Sequence, residues 1–277
     1  MQLERIVIGV DLTLPSTRAA LWVAQEFAPD ASFTLLHCLS STLMDAALVN
    51  AKKEADELLG GLARKIGTCR CEHRVRIGDA ARCLADLSTE VDADLIAVGA
   101  HEAHPERQPA LGTTAQRLVR CAPVPVLLCS SSPCGAPSSV LLPIDAVEIP
   151  SELAEWTGAL TEMFDATLAL VHVEEPEEKR RLTAQHPPRA SKVPMTPWST
   201  VARDRPSHRV FVDAVLGDRA DALLGEARRF HSDLVMIQAA EDEPTAQDGV
   251  TDRVLRSAEC PVLVIPSVDV AQCAATR

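Results

Sequence analysis

The chain has no excess of positive charge: 27 Lys and Arg stand against 39 Asp and Glu among 277 residues, a formal net charge of −12. Holding a nucleic-acid backbone takes clustered basic side chains that displace condensed counterions, so a broad nucleic-acid partner is excluded. No apolar run approaches the roughly 20 residues a spanning helix needs, and no membrane partner is expected. The opening MQLERIVIGVD puts charge where a signal-peptide core would have to be apolar, so the expected location is cytoplasmic. Also missing is a second cysteine pair to match Cys69 and Cys71, which alone would supply only half a zinc site. The nine cysteines are scattered through strand-like and helix-like segments rather than packed as in a small secreted domain. Most are expected to be reduced and buried, and no metal site is assigned.

What is present is a repeat. Ile6 to Asp11, IVIGVD, matches Val140 to Asp145, VLLPID, each an apolar run closed by aspartate. Both lead through proline and serine to a tryptophan, in LPSTRAALW (Leu14 to Trp22) and IPSELAEW (Ile149 to Trp156). TLLHC (Thr34 to Cys38) matches ALVHV (Ala169 to Val173), with His37 and His172 in register. Ile77 to Ala100 aligns without a gap on Leu216 to Ala239, and CAPVPVLLC (Cys121 to Cys129) matches AECPVLVIP (Ala258 to Pro266). Landmarks recurring in the same order make this a duplication.

Each copy reads strand, helix, strand, helix, strand, helix, strand, helix, strand. The strands are unbroken Val, Ile and Leu runs, the mark of a parallel sheet covered on both faces. Between them, helical spacing aligns Ala20, Val23, Ala24 and Phe27; Ala51, Ala55, Leu58, Leu62 and Ile66; Ala80, Leu84, Leu87 and Val91; and Ala115, Leu118, Val119 and Ala122. Ser16 and Ser151, each after a proline, are the expected N-caps. The expected fold class is α/β, with two doubly wound five-stranded parallel sheets in domains 1–131 and 138–277, joined by SSSPCGAPSS. Residues 174–207 carry Pro176, Pro187, Pro188, Pro194, Pro197 and Pro206 where the first copy has a long helix, which excludes a continuous one. With Lys179, Arg180, Arg181, Arg189 and Lys192, this insertion is either a partner-binding arm or a tolerated surface segment.

Open parallel sheets bind ligands beyond the carboxyl ends of the strands, where strand order reverses. In the first copy that crevice would be built by the loops after Asp11 and after Val98. The Asp11 carboxylate could accept from an adenine amino group or ribose hydroxyl, or close an Asx turn into the next helix. Gly112, Thr113 and Thr114 open the last helix, where backbone N–H groups and hydroxyls suit an anion.

These features resemble the universal stress protein family over nearly the whole chain, in two copies. That family has a first strand ending in Asp, and a fourth strand followed by Gly, two residues, Gly, nine residues, Gly and Ser or Thr. Gly99, Glu102, Gly112 and Thr113 stand at that spacing. The resemblance implies an adenine nucleotide alpha hydrolase-like sheet with strand order 3-2-1-4-5. It also implies a non-enzymatic stress-response regulator that binds ATP or another adenine nucleotide with Mg. Asp11 and Cys38 would contact base and ribose, Val98 and Gly99 would pass beneath the nucleotide, and Gly112, Thr113 and Thr114 would hold the phosphates. Glu102 replaces the family's second glycine. A carboxylate about 5 Å from a phosphate costs on the order of 3 kcal/mol per charge pair at an effective dielectric near 20. The first site is therefore expected to be weakened, unless Glu102 points to solvent or Arg107, His101 and His104 offset it.

The second copy has Asp145 but Gln238 at the strand end, a shorter following loop, and Asp248 where Gly112 stands. Glu241, Asp242 and Glu243 add negative charge, so this nucleotide site reads as degenerate; Gly249 and Thr251 leave a shifted cradle as the alternative. Other readings are a protein-interaction scaffold with both pockets vestigial, and an ATP-hydrolysing or metal-dependent enzyme built on His101, Glu102 and His104. No catalytic set stands out. The Ser-Gly-Gly loop and His-x-Gly-His signature of ATP-using enzymes on similar sheets are absent, the first loop being Leu12-Thr13-Leu14-Pro15. The apolar last strands of the two copies need cover; the resemblance implies an intramolecular pseudo-dimer, with a homodimer and an unknown protein partner left open.

Overall fold

The computed structural model describes residues 3–42, 45–67, 70–99, 113–130, 135–144, 151–174, 210–239 and 249–266. It divides into two compact units: Gln2–Ala136 with Gln238–Glu243 and Pro261–Arg277, and Pro137–Ile237 with Pro244–Cys260.

The first unit runs β1 (Arg5–Gly9), α1 (Leu14–Trp22), β2 (Ser32–Leu39), α2 (Asp45–Ile66), β3 (Cys71–Ile77), α3 (Ala80–Glu90), β4 (Leu95–Gly99), α4 (Thr113–Cys121) and β5 (Val126–Cys129). These strands lie parallel in the order β3-β2-β1-β4-β5, the order that the family resemblance implies. Ile6, Ile8, Leu35, Leu95 and Ile96 are at most 1% exposed, because helices cover both faces of the sheet. The faces can be assigned from contacts. A side chain at Gly9 would meet Leu84 of α3, whereas one at Gly99 would meet Ser16 of α1. On β3, His73 reaches Asp56 of α2, while Arg74 and Arg76 reach Glu90 of α3. So α1 and α2 form one layer, and α3 and α4, packed on each other, form the other.

Three local expectations change. The N-cap of α1 is Thr13, whose side chain accepts from Ser16 N–H; Pro15 needs no N–H bond in the first turn and sets the start there, leaving Ser16 inside the helix. The expected apolar stripe at Ala20, Val23, Ala24 and Phe27 is buried, but Val23–Phe27 form a π-helical turn. In α2 the buried stripe is Ala55, Leu59, Leu62 and Ile66, and Leu58 is 52% exposed.

The second unit runs β6 (Ser139–Ile144), α5 (Ser151–Phe164), β7 (Thr167–Glu174), β8 (Val210–Leu216), α6 (Arg219–Arg229), β9 (Leu234–Gln238) and α7 (Val250–Ser257). Its strands lie parallel in the order β9-β6-β7-β8, the 4-1-2-3 of the repeat. Ser151, expected as a cap, is the first helical residue of α5. Residues 175–207 of the proline-rich insertion lie outside the described residues. The last strand, β10 (Val262–Ile265), groups with the first unit and runs antiparallel to β5, with Leu263 opposite Leu127. It satisfies the backbone of the apolar edge at β5.

The duplication extends to single hydrogen bonds. The Asp94 carboxylate accepts from Glu4 and Arg5 N–H, each at 2.8 Å, and Asp233 accepts from Ser138 and Ser139 N–H at 2.9 and 3.2 Å. Asp79 caps α3 and pairs with Arg117; Asp218 caps α6 and pairs with Arg253.

Candidate functional site

Asp11 follows the end of β1. Its Oδ1 accepts from Thr13 N–H at 2.9 Å and from Thr13 Oγ1 at 2.6 Å, the Asx turn that the sequence left open as one of two roles. Leu12, between them, takes a left-handed φ of 67°, an uncommon backbone state for a branched apolar residue. Thr13 then starts α1, with Ser16 Oγ donating back to Thr13 O at 3.1 Å. At the end of β4 a Cβ on Gly99 would lie 2.9 Å from Ser16 Cα. The contacts Asp11–Thr13–Ser16–Gly99 thus draw the first loop and the end of β4 together at the point where strand order reverses. Thr13 and Ser16 were not among the expected site residues; the Thr-Leu-Pro-Ser run is the signal that could have drawn attention to them.

The other expected residues are placed differently. Val98 is 7% exposed and its Cγ1 packs over Gly9, so its side chain faces α3, away from Asp11's turn. Cys38 shares that layer. Gly9 is in register with Leu36, and in a strand alternate residues share a face, so Leu36 and Cys38 both face α3. Burial pushes the Cys38 thiol up to about 12, with the adjacent Cys83 thiol of α3 adding to the rise and the Arg76 guanidinium opposing it. Thr113 and Thr114 open α4. Glu102 and Gly112, with His101, His104 and Arg107, lie outside the described residues. Among the described residues, no group of three or more His, Cys, Asp or Glu could hold a metal ion.

Beside this crevice His37 Nδ1 lies 2.7 Å from Val10 O, and in the other copy His172 Nδ1 lies 3.0 Å from Ile144 O. A carbonyl can only accept, so Nδ1 carries the proton in both rings. The matched histidines hold the chain leaving the first strand of each copy, a structural role repeated by duplication.

The second copy differs where a ligand would sit. Gln238 ends β9 in the place of Gly99 and is half-buried. Helix α7 starts after Gly249, a cap with no side-chain hydrogen bond. Asp145, Glu241, Asp242, Glu243 and Asp248 lie outside the described residues.

The sequence profile of the universal stress protein family matches residues 2–130 and again 138–266. The chain belongs to the universal stress protein family. Among solved structures, a universal stress protein from Archaeoglobus fulgidus is similar at a TM-score of 0.74 and 16% identity, over 96% of this chain and 97% of that one. A protein described as a universal stress protein from Pseudomonas aeruginosa is similar at 0.66 and 16%, over 99% and 97%. At these identities the likeness is one of fold, and it spans both copies. A universal stress protein solved in complex with cAMP matches 48% of this chain and 100% of its own, at 24% identity and a TM-score of 0.38. A search of curated proteins gave no match. No described helix is long and apolar enough to cross a membrane.

Proposed function

We propose that this universal stress protein is a non-enzymatic cytoplasmic regulator, with domains 1–131 and 138–277, whose first copy binds ATP or a related adenine nucleotide with Mg. The observation that carries the reading is the asymmetry at the end of the fourth strand. Gly99 lets the backbone of α1 approach, Asp11 closes the turn into that helix, and Thr113 and Thr114 open α4. The second copy has Gln238 there and Gly249-Val250 opening α7. The α4 start would hold phosphate oxygens through backbone N–H groups and the hydroxyls of Thr113 and Thr114, with Gly112 allowing close approach. Asp11 would flank the nucleoside, with Cys38, Val98 and Gly99 lining it through their backbone, since the Cys38 and Val98 side chains face α3. Mg would neutralise phosphate charge, and Glu102 would set the affinity by repulsion. The β5–β10 pairing supports an intramolecular pseudo-dimer of the two copies.

Two observations favour a pure interaction scaffold: the Asp11 carboxylate already serves the Asx turn, and packing alone explains Gly99. Competition with a fluorescent ATP analogue separates the two readings. The account expects Glu102→Gly to tighten Mg·ATP binding by roughly ten- to hundredfold, the range that one such charge pair commands. No binding by either the wild type or this variant leaves the scaffold.

A further inference from the structure

Cys38 of β2 and Cys83 in the first turn of α3 face each other across one layer of the first unit. Cys38 lies on the α3 face of the sheet by the register of Gly9 with Leu36. Cys83 Sγ lies 3.5 Å from where a Cβ on Gly78 would be, and Gly78 N–H donates to Leu39 O at 3.0 Å, one residue from Cys38. Gly78 takes a φ of 137°, in the region that favours glycine, and so returns the chain over the end of β2. Arg76, in register with Cys38 and bonded to Glu90 of α3, brings a cation beside both sulfurs. Both thiols are free and half-buried, so a small oxidant can reach them.

The second copy shows what the fold itself requires here. Aligned on the repeat, Cys38 corresponds to Val173 and Cys83 to Ala222. Ala222 Cβ lies 3.9 Å from the Cβ position of Gly217, the same placement as Cys83 beside Gly78. A valine and an alanine satisfy the packing, so the sulfur pair is an addition confined to the first copy.

We propose that Cys38 and Cys83 form a redox-modification site, closing to a reversible disulfide when a hydroperoxide reaches them. The Cys83 sulfur, with the Arg76 guanidinium beside it, attacks the outer oxygen of the peroxide as its thiolate, and its proton passes to the departing oxygen. The O–O bond breaks, the alcohol or water leaves, and Cys83 becomes a sulfenic acid. The Cys38 sulfur then attacks the Cys83 sulfur, the S–O bond breaks, and the hydroxyl departs as water with the Cys38 proton. The two thiols lose two electrons, which the peroxide takes up. A disulfide here ties the first turn of α3 to the end of β2, whatever ligand the first copy binds.

Trypsin isolates the two sites, because residues 19–52 contain only Cys38 and residues 83–107 only Cys83. The reduced full chain is treated with hydrogen peroxide, blocked with N-ethylmaleimide, digested and weighed by mass spectrometry. The expected product is a 19–52/83–107 linked peptide, two hydrogens lighter than its parts and separated by dithiothreitol. In Cys38→Ser the Cys83 sulfenic acid is expected to persist long enough for capture by dimedone. Recovery of both cysteines as maleimide adducts overturns the proposal, as does either one linked mainly to another cysteine.

Discussion

A methyl group at position 99 would sit 2.9 Å from the Cα of Ser16 and 3.3 Å from its N. These are backbone atoms, which cannot rotate aside, so Gly99→Ala has to shift α1 or β4. We expect it to cost about 1–3 kcal/mol, as overpacking of a buried contact does, read as a lowered urea midpoint. Ser16→Gly should not restore it, since the clash is with backbone. A separate residue-scale expectation concerns alkali. Burial pushes Cys71 and Cys260 up to about 11 and Cys129 higher still. An unfolded thiol ionises near pH 9, so above that the unfolded chain has lost protons that the folded one keeps, and stability falls as pH rises. The contribution is fully present below about pH 9. The urea midpoint should decline from pH 9 to 11, less steeply in Cys129→Ala; equal slopes would rule this thiol out as a source.

Helix α2 shows how much of an element the sequence carried. Adjacent Leu58 and Leu59 give two stripes of helical spacing, one through Ala51, Ala55 and Leu58 and the other through Ala55 and Leu59. Both share Leu62 and Ile66, so periodicity alone could not choose. The sheet chooses the second, with Leu59 at 0% exposure. Leu59→Ala should cost about 2–5 kcal/mol by leaving a cavity, whereas Leu58→Ala should stay within about 0.5 kcal/mol; comparable losses would contradict the assigned face. The strands were legible because Val, Ile and Leu runs buried on both faces leave little freedom. The start of α1 was less so, because Thr13 and Ser16 are both good caps and only Pro15 between them fixes which N–H groups need a partner. At the site, Asp11 and Gly99 could be read from the motif, but the reason for Gly99 could not, since it depends on how closely α1 lies. Cys83 escaped notice because its partner is distant in sequence; the repeat alignment against Ala222 was the available clue.

For the whole molecule, duplication supplies one architecture in two copies. The carboxylate clasps at Asp94 and Asp233, the caps at Asp79 and Asp218, and the histidines at 37 and 172 show both copies folded by the same contacts. Among the described residues they part at Gly99 against Gln238, at the openings of α4 and α7, and at Cys38 and Cys83 against Val173 and Ala222. The last strand of the second copy lies on β5 of the first, which covers an apolar edge and ties the ends of the duplication together. Calorimetric titration of the full chain with Mg·ATP tests the resulting claim directly. The account predicts one site per chain, lost in Gly112→Asp, where a carboxylate would enter the phosphate cradle. Two sites per chain, or a heat unchanged by that substitution, would contradict it.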